Sequence, residues 1–212
     1  MNLSRIGVDR AEQKNPSEVR PINGKHSQMR IKTGPIDGIH VWTMPNFQDI
    51  RGSLKKAYVA GEEGSFPIPF QMFENFFTYS KKDVFRGMHF QGEPHGVSKI
   101  VSIIQGSALD YLLDFRVDSA TYGNLKIVEM NSEKPVSIYI PIGVAHGYIS
   151  LQDETIISYK FDGFFCANCD GGISGEVINE YLPIDFSATI RSEKDMTLRG
   201  INDFKYETGC LQ

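Results

Sequence analysis

From Ile31 onward the chain is a succession of short apolar runs, and this texture constrains the fold more than anything else in it. GIHVWTM, AYVA, FENFFTY, KIVSIIQ, SALDYLLDF, LKIVEM, VSIYI and TIISYKF follow one another, separated by Gly, Pro, Asn and Asp. They are rich in β-branched and aromatic residues, which suit a pleated, half-buried surface. Within VSIYI, Val136, Ile138 and Ile140 fall on every second position and would share one face, with Ser137 and Tyr139 on the other. No helical pattern of useful length intervenes, so parallel βαβ units are not available. The spacing predicts an all-β antiparallel sandwich or barrel, with helix only near the termini.

The first thirty residues are polar, mixed in charge and aperiodic, and read as an extension ahead of a single domain over 31–212. With 212 residues, 41% of them hydrophobic, the domain can bury a full core. The net charge of -4 lacks the basic footprint that nucleic acid or an anionic membrane surface requires. No apolar run approaches the roughly 18 residues of a membrane span and no signal-peptide core opens the chain, so a cytoplasmic location is expected.

Cys166, Cys169 and Cys210 make an odd count and read as reduced thiols. Cys166-Ala167-Asn168-Cys169 has the gap of a metal knuckle or a redox pair. It lacks both a second pair for zinc and a surrounding βαβ pattern, which leaves a loop with two incidental thiols.

Chemistry concentrates in four segments. Phe85-Arg86-Gly87-Met88-His89-Phe90-Gln91 places an imidazole between a guanidinium, an amide and large apolar residues. Lys99 follows in SKIVSIIQG, His146 in IPIGVAHGY, and Asp195 in Ser192-Glu193-Lys194-Asp195. In this order and at these separations they resemble the dTDP-4-dehydrorhamnose 3,5-epimerase family, from about Met29 to about Ile201. The resemblance narrows the fold to a cupin-like jelly roll.

It also implies roles. His89 stands where the family's base removes the proton beside a sugar ketone, a task suited to a group whose ordinary pKa is about 6.5. Asp195 matches the carboxylate that orients it, and Lys99 the cation that meets the enolate, a contribution of roughly 3–4 kcal/mol. Arg86 and Arg51 match the pair that grips the diphosphate, where guanidinium forks bind bidentately. Gln91, His146, Tyr159 and Lys194 complete the expected substrate-binding set. Each residue also has a plain reading: a histidine satisfied by a carbonyl for His89 and His146, a solvated charge for Asp195 and Lys99.

Two departures stand out. Relatives carry paired tyrosines after Tyr-Lys, the second donating a proton from the face opposite the histidine; here Phe165 falls on that position and has no hydroxyl. Tyr139 and Tyr159 are the alternative donors. After Arg51-Gly52 relatives place two phenylalanines and a glutamate around thymine, where this chain has Ser53-Leu54-Lys55-Lys56. Metal-binding cupins need two histidines one residue apart, and Phe90 and Gln91 follow His89, so neither metal nor any other cofactor is expected.

The function so implied is an epimerase of a dTDP- or CDP-linked 4-keto-6-deoxyhexose, inverting carbon 3 or carbons 3 and 5, in deoxysugar supply for surface polysaccharide. The enzyme would be a homodimer. The competing readings are a 3,4-ketoisomerase working through the same enolate, and a non-catalytic sugar-nucleotide-binding cupin.

Overall fold

A computed structural model of the protein describes residues 31–59, 68, 70–204, 206–207 and 210–211. The expected extension over 1–30 lies outside the described residues. Two sheets form the body. Strands β1 (Lys32–Thr33), β6 (Phe85–Gln91), β8 (Ser107–Asp114), β9 (Asn124–Asn131), β11 (Val144–Ser150) and β13 (Asp170–Gly172) make a six-stranded sheet in the order β1-β9-β8-β11-β6-β13. Strands β2 (His40–Thr43), β5 (Glu74–Ser80), β7 (Lys99–Gln105), β10 (Val136–Ile140) and β12 (Thr155–Phe161) make a five-stranded one in the order β2-β10-β7-β12-β5. These ladders are antiparallel except that β1 runs parallel to β9. β3 (Asn46–Asp49) and β4 (Gly52–Lys55) form a separate hairpin, and β14 (Tyr206–Glu207) pairs with β15 (Cys210–Leu211).

The predicted alternation holds where it was clearest. Ile138 and Ile140 are buried between the sheets with Val101, Ile103, Leu112, Tyr148 and Ile157, and Val136 packs against the same cluster. Ser137 is also buried, because its hydroxyl pairs with Ser102 at 2.7 Å and donates to the Ala57 carbonyl at 3.1 Å. That contact explains why AYVA is not a strand over its described residues: Ala57 lies across the sheet instead of extending it.

The opposite face of the six-stranded sheet carries Phe85, Met88, Tyr111 and Leu113. They are covered by Ile178, Phe186 and Ile201 from C-terminal 3-10 segments and by Phe204 just after the last of them, a second core cluster that makes a third layer. Among the described residues helix is limited to that region: 3-10 segments over Gly175–Tyr181, Phe186–Ala188 and Ile201–Asp203, and one short α-helix, α1 (Glu193–Met196). Among the described residues no helix is long and apolar enough to cross a membrane. The architecture is the antiparallel sandwich that the strand pattern predicts, in the cupin-like form that the resemblance implies, with its described helices toward the C-terminus.

Candidate active site

Arg86 and His89 are three positions apart, so in a regular strand they would face opposite sides. The β6–β11 ladder shifts register between His146 and Tyr148, and this irregularity brings both inward. Gly87 makes it possible. Its φ is +135°, and a Cβ there would lie 2.4 Å from Gly147 Cα and 2.8 Å from the His146 carbonyl oxygen. Only glycine fits so close an approach at that backbone angle. His89 then pairs with His146 across the ladder, while Arg86 reaches the other sheet, donating from Nε to Ser80 Oγ (3.1 Å) and from Nη2 to the Tyr79 carbonyl (3.2 Å).

Asp195 enters from the third layer. Ser192 caps α1, its Oγ accepting from the Asp195 amide at 3.1 Å, and this fixes the carboxylate 2.7 Å from His89 Nε2. Asp195 is buried and His89 is a third exposed, so the pair joins a sequestered acid to an accessible base. With Nε2 held, Nδ1 is the ring nitrogen left to take a proton.

Lys99 opens β7 on the facing sheet. Its ammonium donates to the His89 carbonyl at 3.3 Å and lies over the Phe161 ring. Burial pushes its pKa down to about 8, partly offset by Asp170 and Asp110. Beside it stands a second histidine–carboxylate pair, His146 Nε2 to Asp110 Oδ2 at 2.7 Å, with both side chains buried. Burial lowers the His146 pKa despite Asp110, and the charges of Lys99 and His89 lower it further. Asp110 was not singled out in the sequence. Its signal was a carboxylate at an inward position of the apolar run SALDYLLDF, which needs a partner to be tolerated there. Tyr159 packs edge-on to His146 and flat against Phe76, and burial raises its hydroxyl pKa well above 10, so it stays protonated.

The remaining predicted residues fall elsewhere. Gln91 is buried but its amide is engaged by backbone: Nε2 donates to the His95 and Phe164 carbonyls, and Oε1 accepts from the Cys166 amide at 2.9 Å. Lys194 pairs with Asp170. Tyr139 is in register with Ile100 while Lys99 is in register with Ile140, so Tyr139 faces the far side of the sheet, near His40 and Phe70. Arg51 sits at the tip of the β3–β4 hairpin, 86% exposed and bound to Asp49. The structure thus brings His89, Asp195, Lys99, His146, Arg86 and Tyr159 together and leaves Arg51 and Tyr139 outside. Phe165, 57% exposed, is held through its backbone amide by Glu74 Oε1 at 2.8 Å.

A sequence model of the dTDP-4-dehydrorhamnose 3,5-epimerase family matches residues 33–203. The chain belongs to this family. An epimerase of that name from Methanothermobacter thermautotrophicus is similar to it at 33% identity over 146 residues, 68% of this chain and 76% of the relative. A second, from Sinorhizobium fredii, is 39% identical over 88 residues, spanning 42% of this chain and 45% of the relative. The crystal structure of the Sulfolobus tokodaii dTDP-4-dehydrorhamnose 3,5-epimerase superposes with a TM-score of 0.71 at 28% identity, covering 79% of this chain and 92% of that one. This member of the epimerase family is therefore an isomerase by descent, with the side-chain cluster described above.

Proposed function

We propose that the chain epimerises carbon 3 of a nucleoside-diphosphate 4-keto-6-deoxyhexose. The observation that carries this reading is the His89–Asp195 pair with the buried ammonium of Lys99 beside it, on the fold of an epimerase family. His89 Nδ1 takes the proton on carbon 3, and the bonding electrons move toward the ketone, leaving an enolate with its charge on the carbon 4 oxygen. Asp195 keeps the imidazole oriented and stabilises the imidazolium that forms. Lys99 supplies the positive charge for that oxygen, desolvated and so more effective than it would be in water. Reprotonation from the other face inverts the centre. With phenylalanine at 165 and Tyr139 on the far side of the sheet, Tyr159 is the tyrosine beside the histidines that can donate, and one inversion is the expected outcome.

Arg86, its guanidinium braced on Ser80 and Tyr79, is suited to a diphosphate oxygen. Arg51 serves the same substrate from a second copy of the chain. Its hairpin carries exposed Phe47, Ile50 and Leu54, an apolar tip that dimerisation would cover. The product belongs to deoxysugar supply, made in the cytoplasm from a dTDP- or CDP-linked substrate. A second reading, a 3,4-ketoisomerase, is favoured by the His146–Asp110 pair, which offers another acid–base couple beside the first.

Incubation with dTDP- and CDP-linked 4-keto-6-deoxyglucose, followed by proton NMR, tests the proposal. The epimer at carbon 3 is expected from one of them. A 3-keto sugar would establish the isomerase instead, and unchanged substrate in both would leave a binding protein.

A further inference from the structure

The loop that follows β12 folds back on the loop between β6 and β7. The Cys166 carbonyl accepts from the Cys169 amide (3.0 Å) and the Asp170 amide (2.8 Å), which closes Cys166–Cys169 into a tight turn with both thiols on the same side. The Gly92 amide donates to the Cys169 carbonyl at 2.8 Å. Gln91 ties the two loops from beneath, its amide engaging His95, Phe164 and Cys166. One imidazole nitrogen of His95 and the two sulfurs consequently lie within 4.8 Å of one another. The turn lacks a second cysteine pair, and the third candidate ligand comes from the other loop.

We propose that His95, Cys166 and Cys169 form a binding site for a divalent ion of the zinc class. Two thiolates and a neutral imidazole suit that ion in charge and softness, and a water completes the tetrahedron. Zinc holds sulfur at about 2.3 Å and imidazole nitrogen at about 2.0–2.1 Å, so the three atoms need close by only about 1 Å from their present spacing. Side-chain rotation supplies that. Binding neutralises the two thiolates and staples the β6–β7 loop to the segment bearing Phe164 and Phe165, which line one cleft with His95 and Cys166. The site shares no residue with His89, Asp195 and Lys99, so it stands or falls independently of the epimerase reading.

The test uses the full chain, reduced with a phosphine and freed of metal by a chelator. Titration with Co2+ should give thiolate-to-cobalt charge-transfer absorption and the visible bands of a tetrahedral ion, saturating at one equivalent. Zn2+ should displace it and protect both loop thiols from a disulfide reagent. Cys166→Ser, Cys169→Ser and His95→Ala should each weaken binding by more than the roughly 10–100-fold that loss of an outer partner costs. Their circular dichroism reports whether they fold. The wild-type spectrum decides the matter even if a variant does not. An octahedral or absent cobalt spectrum, thiols equally reactive with and without Zn2+, or folded variants that bind like wild type would overturn the proposal. So would the reappearance of a Cys166–Cys169 disulfide when the reduced protein is exposed to air in the presence of saturating Zn2+.

Discussion

His89 Nε2 lies 2.7 Å from Asp195 Oδ1, although 106 positions separate them in the chain. One residue is on the sheet and the other on the short helix of the layer packed over it, so the pair forms only when the C-terminal segment docks. If His89 is the base, His89→Asn should lower turnover by about 10²–10⁴-fold while leaving nucleotide affinity nearly unchanged. Asp195→Asn should cost less, since the base remains but its orientation and charge support do not. Steady-state rates beside equilibrium binding check both, and an Asp195→Asn enzyme as fast as wild type would place the orienting carboxylate elsewhere.

Lys99 predicts a pH dependence. Its charged form is the one that stabilises the enolate, and burial brings its pKa down to about 8. kcat/KM should therefore fall above about pH 8, two or more units below an ordinary lysine, and Lys99→Met should be nearly inactive at every pH. Stability moves the other way. Between about 8 and the usual 10.5 the unfolded chain holds the proton that the folded one has released, so the lysine's destabilising effect is full below that window and fades as pH rises through it. Denaturation midpoints of wild type and Lys99→Met across that range should converge as pH increases.

Most of the architecture was legible because the strands alternate and their separators are turn residues. VSIYI, KIVSIIQ and TIISYKF became strands as read. The described part of AYVA, residues 57–59, did not, since a short apolar run carries no information about a tertiary carbonyl–hydroxyl contact such as Ala57 to Ser137. At the site, His89, Asp195 and Lys99 were found through their motifs and the structure gathers them. Asp110 is not legible as a site residue in the sequence, because an acid within an apolar strand declares itself only when its partner, His146, is known. The sequence points to Gln91 as a substrate contact, whereas its amide is occupied by backbone, a distinction that depends on where two loops fold.

Gly87 is predicted to be indispensable. Gly87→Ala places a methyl group against Gly147 at a positive φ, so it should cost the roughly 1–3 kcal/mol of backbone strain plus the displacement of β11. Gly52→Ala, also at positive φ but with nothing within 4 Å of the added carbon, isolates the strain alone. Chemical denaturation of the two should show the larger loss at Gly87.

Assembly is the fourth prediction. Phe47, Ile50 and Leu54 are exposed at the hairpin that carries Arg51. A dimer mass by light scattering at micromolar concentration is expected, and Ile50→Asp should shift it toward the monomer while raising KM through the loss of Arg51 from the neighbouring pocket. A wild-type monomer with full activity would contradict this.

Phe165→Tyr should speed the reaction or add inversion at carbon 5, because it restores a hydroxyl where the family donates a proton. A wild-type enzyme that already makes the doubly inverted product, at a rate the substitution does not improve, would show that another donor is in place.

The most direct test of the account is proton exchange in heavy water. With a 4-keto-6-deoxyglucose nucleotide as substrate, wild type should replace the carbon 3 hydrogen by deuterium as the inverted product appears in the NMR spectrum, and His89→Asn should do so at least about 10²-fold more slowly. Retention of the carbon 3 hydrogen by wild type, or exchange at an unchanged rate in His89→Asn, would contradict the claim that His89 is the base of an epimerase.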